Sequence, residues 1–397
     1  MTSKWIELEN EYYMQVARRQ PIVIVRGNGT LVWDDSGKEY LDFTSGWAVN
    51  SLGHCHPELV NAIQEQAQTL MQTSNQFFTV PQVKLAKALI DNSCLDRIFF
   101  SNSGAEANEG VVKLARKYGK INRSGAFTVI TALNSFHGRT LTMAAATGQP
   151  HYQEQWQPLA PGFVNVPYDD IDAIKNATTD ETCAVMLEPV QGEGGVNVPN
   201  TNYLLQVREW CTENNLVMIL DEVQTGIGRL GTLFGYEQFG IEPDAITLAK
   251  GLGGGVPIGA FLAKEKFCVL SPGDHGSTYG GNALTCAGAF AVVDHVVRNK
   301  IPEQVTKQGN HLMGKLEVLK NKFSIINEIR GMGLLVAVQF ETDISGDIVS
   351  RCNEEGLLLN PVRPNAIRLM PPLNVTSAEI DTALDKLENV LTKITYN

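Results

Sequence analysis

Six short runs, apolar at almost every position, punctuate the middle of this chain and limit how it can fold: Arg97–Ser101, Phe127–Ile130, Cys183–Glu188, Leu216–Asp221, Ala245–Ala249 and Ala260–Ala263. A strand with one wet face alternates polar and apolar residues. A run apolar on both faces needs cover on both, which a parallel sheet between helices supplies. The stretches between the runs carry helical spacing from about Pro57 onward, beginning with Leu59, Ile63, Ala67 and Leu70. The pattern predicts an α/β domain with a mostly parallel sheet over residues 57–290.

The flanks read differently. Over 1–56, an amphipathic opening segment precedes a meander of short strands, in which Val23–Val25 and Leu31–Trp33 flank Gly27-Asn28-Gly29 and Lys38–Phe43 follows Asp35-Ser36-Gly37. Over 291–397, a long helical stretch leads to strands near Ile325–Ile329, Leu334–Phe340, Leu357–Leu359 and Ile367–Met370, with a final helix at about Ser377–Lys393. That tail reads as an α+β domain packed beside the sheet. With 397 residues and 43% hydrophobic content, two domains are expected.

Charge and cysteine usage exclude some functions. Acidic residues outnumber basic ones 43 to 32, so the surface repels a phosphate backbone and nucleic acid is not an expected partner. Seven scattered cysteines with no C-x-x-C pair suggest neither zinc nor a redox dithiol, and read as small buried hydrophobes in a reducing compartment. His54-Cys55-His56 is adjacent rather than spaced for one ion and reads as a turn before Pro57, so no metal is expected. Met1–Arg19 mixes acidic and basic residues and resembles no targeting peptide, and no apolar stretch reaches membrane-spanning length. The expected location is the cytoplasm, away from membranes.

In an open parallel sheet, ligands bind beyond the carboxyl ends of the strands, so the polar residues that close the apolar runs are the candidates. Ser101 opens a small-residue turn, Asn102-Ser103-Gly104-Ala105, that feeds a helix; such a turn offers free N–H groups to a phosphate, although it also serves as an ordinary cap. Glu188 closes one run, and Asp221-Glu222 closes another. Each could belong to an acid–base dyad, or simply cap a helix or pair with a cation. Lys250 ends a run with no other charge after Asp244, and Gly251 to Gly259 lets backbone and ligand approach closely. Desolvation there favours the neutral amine that a Schiff base requires; alone, the same lysine could merely extend out of the sheet end. Taken together, a phosphate turn, a carboxylate for a ring nitrogen and an amine nucleophile are the three parts a pyridoxal cofactor needs. A dinucleotide fingerprint fails because Val256 stands where Gly or Ala is required, and no P-loop pattern occurs.

The segments Leu220–Arg229 and Pro243–Gly259 resemble those of class III pyridoxal-phosphate-dependent aminotransferases, in the acetylornithine/ornithine branch, and the resemblance runs from about Tyr12 to the C-terminus. Asn50–Pro57, Asn102–Asn108, Phe136–Thr140, Glu188–Gly195 and Gly276–Asn282 support it. The resemblance implies fold type I: a large domain with a seven-stranded sheet, a small α+β domain built from both termini, and a homodimer with active sites at the subunit interface. It further implies that Lys250 carries pyridoxal 5'-phosphate as a Schiff base and moves the proton. Asp221 would pair with the pyridine nitrogen, Gln224 would reach the phenolic oxygen, and Val223 and Phe136 would cover the two ring faces. Ser103, Gly104 and Ala105 match the phosphate turn, and Thr278 would reach the phosphate of the other subunit's cofactor with Ser277 beside the substrate. Arg139 matches the arginine that grips a substrate carboxylate, while Glu193 and Arg368 match a pair that closes in one half-reaction and opens in the other.

The activity so implied is transfer of the terminal amine of N-acetylornithine, or a close relative, to 2-oxoglutarate. Ornithine, 4-aminobutyrate, succinylornithine and other ω-amino donors are the alternatives within the fold. A non-catalytic ligand-binding homologue is the alternative from another class, and the presence of Asp221, Lys250 and Arg139 together counts against it. Trp47 departs from the small or aliphatic residue usual in this branch, and would narrow the pocket if its segment lines it.

Overall fold

The computed structural model describes residues 3–396 and places the apolar runs in one seven-stranded sheet. Three antiparallel-paired strands come first, β1 (Ile24–Asn28), β2 (Leu31–Asp34) and β3 (Glu39–Asp42). The large sheet follows: β4 (Arg97–Ser101), β5 (Thr128–Ala132), β6 (Phe163–Val166), β7 (Thr182–Leu187), β8 (Val217–Asp221), β9 (Ala245–Leu248) and β10 (Gly259–Ala263). Their order is β4-β10-β9-β8-β7-β5-β6, and all neighbours are parallel except those of β10. Every residue of β7, β8, β9 and β10 is buried, as runs apolar on both faces require, whereas the edge strands β4 and β6 are partly exposed. β6 was not anticipated: Asn165 and the partly exposed Phe163 and Val164 break the apolar run that marks the central strands.

The remaining strands are β11 (Ile326–Met332), β12 (Leu335–Phe340), β13 (Leu357–Leu358), β14 (Asn360–Arg363) and β15 (Ala366–Leu369). Four of them form an antiparallel sheet in the order β11-β12-β15-β14. β13 instead joins the N-terminal sheet, pairing in parallel with β3 so that Leu357 lies beside Leu41. Segments from both ends of the chain therefore share a sheet. On that basis we propose the division into 1–56 and 291–397 as one small domain and 57–290 as the other, with the helix Ala283–Arg298 running across the second boundary. The opening helix, Lys4–Tyr12, buries none of its residues. Four cysteines are buried and two partly so, but Cys55 is exposed, contrary to expectation, because it occupies the turn before the helix Pro57–Thr69 with φ +54°. In that turn His54 Nε2 meets Asp42 at 2.8 Å and the His56 ring packs edge-on against His295. Among the described residues, no helix is long and apolar enough to cross a membrane.

Two carboxyl groups leave the end of β8 in different directions. Asp221 lines the cavity described below, whereas Glu222 is 1% exposed and accepts from the backbone N–H groups of Gly235 and Tyr236, fastening the loop that follows the strand. Burial pushes the Glu222 carboxyl up to about 7, against the pull of those N–H groups. Because the folded state holds this proton while the unfolded state loses it near the ordinary value of 4.5, this group's contribution to stability is full below about pH 4.5 and is lost as pH rises to about 7. Glu222→Gln removes that linkage. Urea unfolding from about pH 5 to 8 should show a shallower fall in stability in the variant, the wild type losing at most about 1.4 kcal/mol more per pH unit; equal slopes would show that Glu222 is already ionised in the fold.

Candidate active site

The carboxyl ends of β4, β7, β8 and β9 open on one side into a cavity of about 450 Å³. Eleven of the thirteen candidate side chains from the sequence fall at or beside it, and ten line it directly: Ser103, Gly104, Ala105, Phe136, Arg139, Glu193, Asp221, Val223, Gln224 and Lys250. Arg368 is fully buried on β15 and reaches the cavity through Glu193. Ser277 and Thr278 are not among the lining residues; Ser277 Oγ accepts from Asn102 Nδ2 at 3.2 Å, and Thr278 is exposed in a separate hollow near Gln72 and Asn75. Trp47 is 58% exposed and does not line the cavity of its own chain, although Val49 of the same segment does.

At the floor, Asp221 is held by four donors. Asn108 Nδ2 and His137 Nδ1 each lie 2.8 Å from Oδ2, while Val223 N and the Thr247 hydroxyl donate to Oδ1 at 3.0 and 3.3 Å. Burial disfavours a charged His137, but the bond to Asp221 and its charge outweigh it, so the imidazole is raised above its usual value. Asn108 also donates to the carbonyl of His137 at 2.7 Å, which ties the helix Gly104–Asn122 to the Phe136 loop. His137, Asn108 and Thr247 all stood in the quoted motifs without an assigned role. Their positions gave a signal: Asn108 is one helical turn after Gly104 on the same face, and Thr247 neighbours Asp221 across the sheet.

Lys250 follows β9 with φ +45°, a left-handed backbone that non-glycine residues rarely adopt. Burial pulls its amine below the usual lysine range, with Glu193 opposing that shift and Arg368 reinforcing it. Across the cavity, Ser103 caps the helix Gly104–Asn122 in an extended conformation, and the N–H groups of Gly104 and Ala105 have no acceptor among the described residues. These are the free donors of a helix N-terminus, suited to an anion. The cradle is shaped by close approach: a Cβ on Gly104 would stand 2.9 Å from Val223 Cγ1.

Glu188, weighed as half of a dyad, is 6% exposed, and its oxygens accept from Phe136 N and Gly192 N at 3.2 Å each. Burial pushes its carboxyl up to about 7, with His137 pulling the other way. It braces two walls of the cavity. Arg139 stands exposed at the mouth, its guanidinium 4.5 Å from the Tyr152 ring centre, and no carboxylate lies in ion-pair range of it among the described residues. Glu193 accepts from Arg368 Nη2 at 2.9 Å and Gln224 Nε2 at 3.2 Å. Burial opposes ionisation of Glu193, but Arg368 and then Lys250 outweigh it and hold the carboxyl down to about 2. Arg368 also donates through Nη1 to Gln224 Oε1 and through Nη2 to Asn360 Oδ1, each at 2.9 Å, and its buried Nε has no partner among the described residues.

An amine of lowered basicity, a fastened carboxyl group and an anion-binding helix start around one cavity are suited to a phosphorylated ring bearing an electrophilic carbon. Comparison with known proteins agrees. Residues 12–391 match the family model for "Aminotransferase class-III". The chain is 50% identical over 392 residues to an acetylornithine aminotransferase of Caldanaerobacter subterraneus, covering 98% of this chain and 100% of that one. It is 49% identical to one of Methanocaldococcus jannaschii, with 98% of both chains covered. Among solved structures, an ornithine aminotransferase of Toxoplasma gondii superposes with a TM-score of 0.95 at 35% identity over 99% of this chain and 96% of that one. An acetylornithine aminotransferase of Elizabethkingia anophelis does so with 0.88 at 35% identity over 98% of each. The chain belongs to the class III aminotransferases.

Proposed function

We propose that this chain uses pyridoxal 5'-phosphate to move the terminal amino group of N-acetylornithine to 2-oxoglutarate, giving the semialdehyde and glutamate. The observation that carries the reading is the convergence of Lys250, Asp221 and the open N–H groups of Gly104 and Ala105 on one cavity. Bound there, the cofactor supplies an aldehyde that joins to amines and a ring that draws electrons from the neighbouring carbon. Lys250 would be the amine that holds the cofactor, and the base that would move a proton at the substrate's reacting carbon. Burial, which lowers its basicity, acts in the direction a nucleophilic amine needs.

Asp221 sits where it can keep the ring nitrogen protonated, and its four donors keep it from turning away. Ser103, Gly104 and Ala105 would receive the phosphate, Val223 and Phe136 would cover the ring faces, and Gln224 would meet the ring's phenolic oxygen. Arg139 would grip the carboxylate far from the reacting carbon, the donor's α-carboxylate or the distal carboxylate of 2-oxoglutarate, for which a planar guanidinium suits a bidentate grip. The Glu193–Arg368 pair is closed in this structure, and breaking it exposes Arg368 to the second carboxylate of 2-oxoglutarate or glutamate.

Thr278 is exposed in a hollow apart from this cavity, which supports a homodimer in which Thr278 reaches the partner's phosphate. The absence of a membrane-length helix among the described residues is compatible with a cytoplasmic enzyme. Alternative ω-amino donors use the same machinery; the choice of N-acetylornithine rests on the relatives at about half identity.

Purified enzyme should show a visible cofactor band, and borohydride should fix the cofactor's mass on the peptide containing Lys250. Lys250→Ala should lose that fixation, and its turnover should fall by about four orders of magnitude or more, within the range seen when one member of a catalytic unit is removed. Covalent fixation elsewhere, or full activity in the variant, defeats the assignment. A panel of amino donors with 2-oxoglutarate reads out the donor. Arg139→Lys should raise KM for both substrates, costing about 2–3 kcal/mol in kcat/KM through loss of the bidentate grip; a change confined to one substrate would assign the other substrate's carboxylate to another residue.

A further inference from the structure

Residues 191–197 form a small hairpin, closed by the Gln191–Asn197 bridge, with Glu193 near its tip. One side is fastened to the large sheet, since Gln191 Nε2 donates to Leu133 O at 2.8 Å and Gly192 N to Glu188 Oε1 at 3.2 Å. The other side is held by two cations of the C-terminal sheet. Arg330 Nε donates to Gly195 O at 2.9 Å, and Arg363 Nε donates to Gly194 O at 3.0 Å while its Nη2 reaches Asn134 Oδ1 at 3.1 Å. Glycine is needed at both carbonyls for this approach: a Cβ on Gly194 would lie 2.7 Å from Asn134 O, and one on Gly195, at φ +114°, would lie 3.2 Å from Arg330 Nη2.

The register of the C-terminal sheet makes the contact more than a chance docking. Arg330 on β11 pairs with Ala337 on β12, Ala337 pairs with Arg368 on β15, and Arg368 pairs with Asn360 on β14. Directly paired residues point to the same face, so this row offers Arg330 and Arg368 side by side across a small alanine, roughly 10 Å apart at the strand spacing. Arg368 takes the Glu193 side chain and Arg330 takes the carbonyl two residues further on. Arg330 is itself aimed by Glu328 and Gln339, at 2.7 and 2.6 Å.

We propose that Arg330 and Arg363 are positioning residues that clasp the Glu193 hairpin to the sheet bearing Arg368, and so set how readily the Glu193–Arg368 pair opens. The proposal rests on the pair acting as the switch between the two half-reactions described above. A guanidinium bonded to a carbonyl is among the stronger hydrogen bonds, and here it anchors the backbone one and two residues beyond Glu193 to the sheet that carries Arg368. Loosening the clasp lets Glu193 leave Arg368 more often. That favours the dicarboxylate, which needs a free Arg368, and disfavours the donor, whose uncharged stem would face an unpaired buried cation.

The test uses the holoenzyme of Arg363→Met and, separately, Arg330→Met, so that a folding failure of one leaves the other informative. Each half-reaction is followed alone by the cofactor's absorbance, with N-acetylornithine and with 2-oxoglutarate. The ratio of the two kcat/KM values, donor over oxo acid, should fall about tenfold in either variant, mainly through a raised donor KM. In a Glu193→Gln background the same substitutions should leave that ratio within about twofold, since the clasp acts through Glu193. Hydrogen exchange at the amides of residues 192–197 should quicken in both variants. Equal losses in both half-reactions, a loss confined to the oxo acid, persistence of the effect in the Glu193→Gln background, or unchanged exchange each overturns the clasp. A wild type that converts neither compound overturns the proposed function instead, and the exchange measurement then still decides whether the arginines hold the hairpin.

Discussion

A sheet covered on both faces leaves polar side chains only its strand ends, and that constraint generates the site. Within β7, β8, β9 and β10 every residue is buried, so a carboxylate or an ammonium inside any of them would lack both water and partners. Displaced to the ends, Glu188, Asp221 and Lys250 meet because three adjacent parallel strands stop at one level. β10 runs the other way and begins at that same level, its Gly259 paired with Ser101. The antiparallel strand thus closes the gap to β4 and brings the Ser103 turn alongside Lys250. Asp221 shows what such a position demands, since at 3% exposure its carboxyl group is tolerated because side chains from a helix, a loop and the next strand all donate to it.

Legibility in the sequence follows the same physics. The central strands could be read directly, because burial on two faces writes an uninterrupted apolar run; β6 at the sheet's edge and β14 with its Pro361 could not, since neither needs one. The cavity residues could be read where they close such a run, as Asp221 and Lys250 do. Glu222 follows Asp221 and strand alternation turns it the other way, but that it meets the Gly235 and Tyr236 amides is revealed only by the path of the loop after the strand. Arg330 and Arg363 were likewise silent. Each is an arginine in a short strand, and what gives it meaning is a register across four strands and the carbonyls of a hairpin more than a hundred residues away.

Backbone strain gathers on the same side of the molecule. Ser45, Gly46, Trp47 and Ala48 form a left-handed turn, with φ between +46° and +63°, and only one of the four is glycine. A left-handed residue other than glycine costs roughly 1–2 kcal/mol, so the turn persists only because its surroundings specify it. Asp42 does much of this: its Oδ1 accepts from Thr44 N, the Thr44 hydroxyl and Ser45 N, while Oδ2 pairs with His54. The turn then lays the Ala48 carbonyl close to Gly251, where a Cβ would stand 3.7 Å away, and Ser51 donates to the Gly251 carbonyl at 2.9 Å. Gly251 directly follows Lys250, itself left-handed. Two strained segments from distant parts of the chain thus meet beside the cavity wall, the turn before Ser51 packing against the residue that follows Lys250. The exposed Trp47 indole is a consequence of the same turn, since a left-handed path carries its side chain out to 58% exposure while burying its neighbours Ser45 and Ala48.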